Sequence, residues 1–202
     1  MNILLHICCG PCAIMPILRL QEEGHSLTGF FYNPNIHPLG EYLRRREGTR
    51  QVAERLGIPM IWATEPEDYA PDAWMAQAQA RPEEAPGVPG KPGARCVFCL
   101  GLRLERAGGL AVGGFDAFST SLLYSRRQSH DFIAGRGAES GREIPFLYRD
   151  FRRDWERGIR LSREWNIYRQ QYCGCLFSEY DRHARDLSAS NARLRKTAAD
   201  RR

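Results

Sequence analysis

The sequence predicts an α/β protein in which a parallel sheet is flanked by helices. Over the first 63 residues the apolar segments follow the order strand, helix, strand, helix, strand. This order favours parallel strands, because each helix returns the chain to the same edge of the sheet. A chain of 202 residues with 43% hydrophobic and 26% charged residues is long enough for one core, which excludes disordered and collagen-like proteins.

Short apolar runs predict the strands, and helical spacing of apolar residues predicts the helices between them. Ile14, Ile17 and Leu18 share one face of the first helix, which Gly24 ends. Pro16 fits this helix only if it lies in the first turn. The predicted strands are 2–7, 27–32, 59–63, 115–121 and, as a strand or a loop, 144–148. The predicted helices are 12–23, 39–56, 66–80, 96–111, 126–134 and 154–172.

Two segments fall outside this regular pattern. Residues 81–95 contain four prolines and three glycines, which predicts a mobile loop. Residues 184–202 carry six basic and two acidic side chains, and so hold +4 of the chain's formal charge of +5. We therefore expect one catalytic domain over 1–183 and a flexible basic tail over 184–202. Such a tail suits a nucleic-acid backbone but is equally typical of a solvated terminus.

The cysteines are the most informative residues for function. No apolar run approaches the length of a membrane span, and the N-terminus MNILLHICCG lacks the basic start and cleavage site of a signal peptide. These features predict a cytoplasmic protein without a membrane partner, in which thiols stay reduced. Seven cysteines cannot all pair within one chain, so metal binding or catalysis is the favoured explanation.

The spacing of the cysteines divides them into three groups. They are Cys8, Cys9 and Cys12; Cys96 and Cys99; and Cys173 and Cys175. The adjacent Cys8 and Cys9 point to opposite sides of an extended backbone, which suits two neighbouring metal centres better than one. Cys12 lies at a predicted helix start, where a thiolate is favoured. The count favours a division into four thiols for an iron–sulfur cluster and three thiols for a second site.

Other chemistries remain open from spacing alone. A structural zinc site typically uses four ligands, fewer than the chain offers. The segment Cys9-Gly-Pro-Cys12 is also the dithiol pattern of thiol–disulfide exchange, with Cys9 as a nucleophile. That activity leaves four further thiols without a role. No glycine-rich phosphate loop follows the first strand, which disfavours an ATP-dependent reaction.

Polar side chains follow the predicted strands and should meet at one edge of the sheet, where ligands bind in such folds. Each has a structural alternative. His6 fits a buried core histidine, and residues 33–37 fit turn chemistry between prolines. The hydroxyls of 119–121 could cap a helix or hold a phosphate. The segment 168–172 combines tyrosine with arginine, which suits base stacking but also suits helix packing.

Five segments, taken together and in order, resemble the QueH-type epoxyqueuosine reductases, the cobalamin-independent enzymes of tRNA queuosine biosynthesis. The resemblance covers about residues 1–180. The segments are HICCGPC at 6–12, FYNPNIHP with EYLRRR at 31–46, CVFCLGLRLERA at 96–107, FSTSLLYS at 118–125 and YRQQYCGCLFS at 168–178.

This resemblance implies a Rossmann-like α/β fold related to nucleotide-binding α-hydrolase layouts. It also implies a 4Fe–4S cluster beside a second, mononuclear iron. The implied reaction removes the epoxide oxygen of epoxyqueuosine at the tRNA wobble position and gives queuosine. The partners would then be the modified tRNA and an external electron donor. Some relatives have an acidic residue at position 12, where this chain has Cys12.

On that basis we expect all seven cysteines to bind metal. Our hypothesis assigns Cys8, Cys96, Cys99 and Cys173 to the cluster, and Cys9, Cys12 and Cys175 to the second iron, with Cys9 and Cys12 as catalytic candidates. The expected substrate contacts are Tyr32, Asn33, His37, Ser119, Thr120, Tyr168 and Arg169. The alternatives are a thiol–disulfide oxidoreductase using Cys9 and Cys12, a metal-dependent tRNA sulfur-insertion enzyme, and a zinc-stabilised RNA-binding module without catalysis.

Overall fold

The protein folds around one parallel sheet of four strands, which confirms the predicted fold class. The structure is a computed structural model that describes residues 1–81, 92–141 and 143–199. The strands are β1 (Asn2–His6), β2 (Ser26–Phe31), β3 (Met60–Trp62) and β4 (Ala117–Thr120). Their spatial order is β3-β2-β1-β4. The first strand therefore lies inside the sheet, with parallel neighbours on both sides.

Helices cover both faces of this sheet. They are α1 (Gly10–Glu22), α2 (Leu39–Leu56), α3 (Pro71–Gln79), α4 (Ala94–Ala111), α5 (His130–Ser140), α6 (Trp155–Glu164) and α7 (Leu176–Ala199). Ile3 and Leu5 of β1 pack in the same cluster as Ile14 of α1, whereas Leu4 packs with Ala107 of α4. This alternation is the one expected for a strand buried on both faces.

The register of the strands brings their carboxyl ends together. His6 lies beside Phe30 on β2 and beside Thr120 on β4. Its ring joins these neighbours, because Nδ1 lies 2.9 Å from Thr120 Oγ1 and Nε2 lies 3.0 Å from Tyr32 O. Burial lowers the pKa of His6 to about 4, so a neutral ring ties three strands together at this edge. His6 is thus a satisfied core histidine.

The N-terminal half of the chain follows the predicted elements closely, although two details were wrong. Helix α1 begins at Gly10 rather than Cys12, so Pro16 lies inside the helix and beyond its first turn. Proline there leaves the Cys12 carbonyl without its helical N–H partner. The helix predicted over 66–80 is divided into a 3₁₀ turn at Pro66–Tyr69 and α3.

Two predicted helices in the C-terminal half had the wrong bounds. The helix predicted over 126–134 begins at His130, because Ser129 is its N-cap and accepts a hydrogen bond from the backbone N–H of Phe132 at 3.4 Å. The helix predicted over 154–172 begins at Trp155 and ends at Glu164. Asn166 then adopts a left-handed conformation with φ of 53°. This conformation ends the helix and directs the chain toward the edge of the sheet that carries the cysteines.

The remaining predicted segments have simpler outcomes. Residues 144–148 form only an isolated parallel bridge, at Phe146 against Phe118. Residues 184–199 belong to α7 and are helical, and the flexibility of this tail stays a prediction. Most of the predicted loop 81–95, and residues 200–202, lie outside the described residues. Across the described ranges, no helix combines the length and apolarity that a membrane span requires.

Candidate metal centre

The first group of thiols lies in the turn between β1 and α1. The sulfur atoms of Cys8, Cys9 and Cys12 all lie within 4.8 Å of one another, and we call these residues the cysteine triad. Cys9 is the N-cap of α1 in an extended conformation, so Cys12 sits one helical turn further along. The triad therefore needs only local backbone geometry, and its thiol groups could hold a metal ion.

A close helix contact fixes the position of this turn. A Cβ atom on Gly10 would lie 2.3 Å from the backbone oxygen of Gly48 in α2, which is far too close for any side chain. Glycine at position 10 therefore allows the start of α1 to pack directly against α2. This contact between α1 and α2 fixes the position of the triad at the edge of the sheet.

Polar side chains from distant segments contact the triad. The Ser121 hydroxyl donates to Cys8 Sγ at 3.4 Å and accepts from the Cys8 backbone N–H at 3.0 Å. Gln170 Nε2 donates to Cys9 Sγ at 2.9 Å and lies 3.8 Å from Cys12 Sγ. Donors of this kind stabilise thiolates over thiols. The triad thus has the surroundings of a metal-thiolate site.

The three thiols do not titrate alike in the metal-free protein. Hydrogen bonds from Cys12 and Cys9 lower the pKa of Cys8. Contacts with Cys8 and Cys9 raise the pKa of Cys12, and burial raises the pKa of Cys9. Because the three thiols interact strongly, they titrate together as one group.

The second group of thiols lines a cavity of about 410 Å³, and its Cys173 lies near enough to Cys8 for their charges to interact. We call Cys96, Cys99, Cys173 and Cys175 the cavity cysteines. The first two turns of α4 carry Cys96 and Cys99. Gly174 has φ of 146°, which a side chain would rarely tolerate, so glycine allows the sharp turn between the other two. The Ser178 N–H donates to Cys175 Sγ at 3.4 Å.

A buried arginine holds the turn that carries Cys173. The side chain of Arg45 is 2% exposed, and its Nε donates to Glu41 Oε1 at 2.7 Å. Its Nη1 donates to the Cys173 carbonyl at 2.7 Å, and its Nη2 donates to the Tyr172 carbonyl at 3.1 Å. The His37 backbone N–H also donates to the Gly174 carbonyl at 2.8 Å. Long-range hydrogen bonds therefore position the cysteines at 173–175.

A second buried arginine lies among the thiols. Arg103, one turn beyond Cys99 on α4, is 2% exposed and donates from Nε to the Cys99 carbonyl at 3.1 Å. Burial favours the neutral form of Arg103, but nearby thiol groups outweigh burial and raise its pKa. These thiols are Cys99, Cys173, Cys8 and Cys96. A guanidinium buried beside thiols fits an anionic metal-thiolate centre, since buried charges require compensation.

Several expected substrate contacts are buried and already bonded within the fold. Ser119 and Thr120 are fully buried. The Ser119 hydroxyl donates to the Leu147 carbonyl at 2.8 Å, and Thr120 Oγ1 accepts from the Leu122 N–H at 3.2 Å. Tyr32 is also buried, and its ring stacks on Phe30 at 5.9 Å between centroids.

The other expected contacts have free polar atoms or an accessible surface. Asn33 Nδ2 donates to the Ile7 carbonyl at 2.9 Å. Asn33 Oδ1 and both ring nitrogens of His37 are buried and have no hydrogen-bond partner among the described residues. Tyr168 is partly exposed and donates its hydroxyl to Glu41 at 2.5 Å, while Arg169 is exposed.

Sequence reasoning did not identify Arg45, Arg103 or Gln128 as site residues. Gln128 lies in the cavity wall, with Nε2 3.6 Å from Cys173 Sγ. Arg103 follows Cys99 by four residues, the spacing that places two side chains on one face of a helix. That spacing could have signalled its role. Nothing in the sequence indicated that Gln128 approaches Cys173.

A parallel α/β sheet with thiols gathered at its carboxyl edge defines a cysteine-rich α/β protein with a candidate metal centre. Comparison with known proteins then specifies the family. The family model for epoxyqueuosine reductase QueH matches residues 3–181. The chain belongs to the QueH family of epoxyqueuosine reductases, which confirms the resemblance carried by the five sequence segments.

Individual relatives align with this chain over most of their lengths, and each is named epoxyqueuosine reductase QueH. The protein from Acinetobacter baylyi is 35% identical over 201 residues, which cover 96% of this chain and 87% of the relative. The protein from Histophilus somni is 35% identical over 188 residues, covering 89% and 73%. The protein from Thermotoga maritima is 32% identical over 200 residues, covering 95% and 97%.

Proposed function

We propose that this chain removes the epoxide oxygen of epoxyqueuosine at the wobble position of tRNA, giving queuosine, with a 4Fe–4S cluster and a second iron. The observation that carries the proposal is the gathering of the triad and the cavity cysteines at the ligand-binding edge of the sheet. The seven cysteines, all of which lie in the described ranges, form no disulfide. Seven thiols exceed the needs of one cluster or one ion.

The proposed ligands divide the seven thiols between the two centres. We assign Cys8, Cys96, Cys99 and Cys173 to the cluster, and Cys9, Cys12 and Cys175 to the second iron. The cluster set is supported because three of its members, Cys96, Cys99 and Cys173, line one cavity with the buried Arg103. When bound, the cluster would supply electrons singly, and an iron with an open position would act as a Lewis acid toward the epoxide oxygen.

The chain's own residues hold and shield this chemistry. Gln170 and Ser121 orient the triad thiols by donating hydrogen bonds to them. Arg45 fixes the carbonyl of Cys173. Trp74 and Phe177 add aromatic surface to the cavity wall, which limits access of water. Removal of the oxygen takes two electrons, which an external donor must supply, and two protons, so the oxygen leaves at the oxidation level of water.

The cavity rim suits a polyanionic substrate. Arg126 and Arg127 are exposed at the cavity, where guanidinium groups match the geometry of tRNA phosphates. Tyr168 and Arg169 are the accessible members of the expected substrate contacts. The other expected contacts are buried, and we propose that they shape the base of the site: Tyr32, Asn33, His37, Ser119 and Thr120. A tRNA-modifying role fits the predicted cytoplasmic location.

Thiol–disulfide exchange through Cys9 and Cys12 is the weaker alternative. Cys9 is fully buried, and burial raises the pKa of its thiol. An attacking thiol must be accessible and ionised. The environment of Cys9 therefore suits a metal ligand better than a nucleophile.

The direct test is a reaction with tRNA that carries epoxyqueuosine. The protein would be purified without oxygen, reduced with dithionite and incubated with this tRNA, and the nucleosides would be analysed by mass spectrometry. We expect a product lighter by one oxygen atom, formed only with the metal-loaded protein. An unchanged nucleoside with fully loaded, reduced protein would contradict the proposal, as would disulfide reductase activity without iron.

A further inference from the structure

The two buried arginines near the thiols differ in how their charges are balanced. Arg45 and Arg103 are both 2% exposed. Arg45 has a carboxylate partner, Glu41, at 2.7 Å. In the described part of the chain, no carboxylate forms an ion pair with Arg103, whose hydrogen bond goes to the neutral carbonyl of Cys99. The charge of Arg103 must therefore be balanced by groups of another kind.

Thiol groups are the candidates for this balance. When ionised, the thiols of Cys99, Cys173, Cys8 and Cys96 favour the cationic form of Arg103. Arg103, Cys96, Cys99 and Cys173 also share the wall of one cavity. Removing a guanidinium from water without a counter-charge costs several kcal/mol. Ionised thiols in a metal centre would provide that counter-charge.

We propose that Arg103 is the counter-ion of the metal centre, a positioning residue whose buried charge stabilises thiolate ligands and raises the reduction potential of the cluster. This inference rests on the proposed cluster. One-electron reduction adds one negative charge to the cluster and its thiolates, with the electron supplied by an external donor or by dithionite. A fixed positive charge nearby favours the more negative state, so it makes the cluster easier to reduce. Burial increases the effect, because little water screens the interaction.

The test compares three variants with the wild-type protein, each purified without oxygen and loaded with iron and sulfide. Arg103→Met removes the charge and keeps an unbranched apolar side chain, whereas Arg103→Lys keeps the charge. Arg106→Met is the control, because Arg106 lies on the same helix but is 47% exposed and pairs with Asp68 at 3.2 Å. The midpoint potential of the cluster is measured by a dithionite titration followed by absorbance and electron paramagnetic resonance.

Arg103→Met should lower the equilibrium constant for reduction at least tenfold, which is about 59 mV for one electron. Arg103→Lys should retain most of the wild-type potential, and Arg106→Met should shift it much less than Arg103→Met. Equal potentials for Arg103→Met and Arg106→Met would overturn the proposal. So would an equal loss of potential in Arg103→Met and Arg103→Lys, because the charge would then be irrelevant.

A second measurement, of thermal unfolding and iron content, applies if Arg103→Met cannot hold the cluster. Metal loading should raise the unfolding temperature less in Arg103→Met than in the wild-type protein, since the metal-free protein has no thiolate set to balance Arg103. If Arg103→Met loses its iron, recovery of iron in Arg103→Lys supports the proposal, and failure in both contradicts it. A wild-type protein without an iron–sulfur spectrum would instead contradict the proposed function itself.

Discussion

The triad and the cavity cysteines reach the same edge of the sheet by different means. Cys8, Cys9 and Cys12 come from one turn, between a buried strand and a helix that begins at Gly10. The cavity cysteines come from α4 and from residues 173–175, which are far apart in the sequence. Local backbone geometry thus assembles the triad, whereas tertiary hydrogen bonds assemble the cavity cysteines.

This difference has an energetic consequence. The triad persists as long as β1 and α1 pack, because a local turn costs little entropy to close. The cavity cysteines depend on the hydrogen bonds of Arg45 and His37 to the turn at 172–174. We therefore expect changes at the two groups to separate in their effects on iron content and on protein stability.

The largest effect should come from removing a cavity thiol. Cys99→Ser should lose the iron–sulfur absorbance and reduce epoxyqueuosine turnover to background, because a hydroxyl is a poor ligand for a cluster held by thiolates. Cys12→Ser is the matched change in the triad. It should keep the iron–sulfur absorbance while losing about one of the roughly five irons expected for a 4Fe–4S cluster plus one ion. Loss of the whole spectrum in Cys12→Ser would show that the two groups are not separable.

The next effect concerns the arginine that holds Cys173. Arg45→Met leaves Glu41 buried at 1% exposure, with the exposed Arg44 as its charged partner and the Tyr168 hydroxyl as a further donor. Removal of one partner of a buried ion pair destabilises a protein by about 3–5 kcal/mol. Urea unfolding should show this loss, together with a lower iron–sulfur content.

Two comparisons sharpen the Arg45 prediction. Arg50→Met removes an exposed arginine of the same helix that pairs with Glu47 at 2.7 Å, and should cost less than about 1 kcal/mol. The double change Arg45→Met with Glu41→Leu should recover part of the stability, because it leaves no buried charge. A stable Arg45→Met protein with full iron content would argue against the role of Arg45.

A smaller effect should appear at the triad. Gln170→Leu removes the donor at 2.9 Å from Cys9 Sγ. Hydrogen bonds to metal ligands typically contribute about 10–100-fold in metal affinity or activity. We expect a loss of that size in the binding of the second iron, measured by chelator competition. The exposed neighbour Gln171 is the control, and equal effects of Gln170→Leu and Gln171→Leu would refute the assignment.

The smallest effect is expected at Ser178. Its Oγ accepts from the Gly174 N–H at 3.2 Å and donates to the Cys175 carbonyl at 2.8 Å. Ser178→Ala should therefore destabilise the protein by about 1 kcal/mol and leave the triad unaffected. Ser188→Ala, on the exposed part of α7, should be neutral in the same thermal unfolding experiment.

The contrast between local and tertiary assembly of the two cysteine groups also explains which features the sequence could predict. The alternation of apolar segments predicts the parallel sheet, and CCGPC predicts the triad, because both depend on neighbouring residues. The bounds around 126–134 and 154–172 were missed, since a capping serine and a left-handed Asn166 decide them. Arg45 was missed because it binds the carbonyls of a distant segment, at 172–173. Arg103 was missed because its role depends on thiols that other segments bring to the same cavity. Local patterns do not encode such partners.

The most direct test of the central claim is the metal content of the wild-type protein purified without oxygen. Iron, zinc and acid-labile sulfide would be measured per chain. Two adjoining centres predict about five irons and about four sulfides per chain, with little zinc. Zinc without iron or sulfide would contradict the account and would support a structural zinc site in its place.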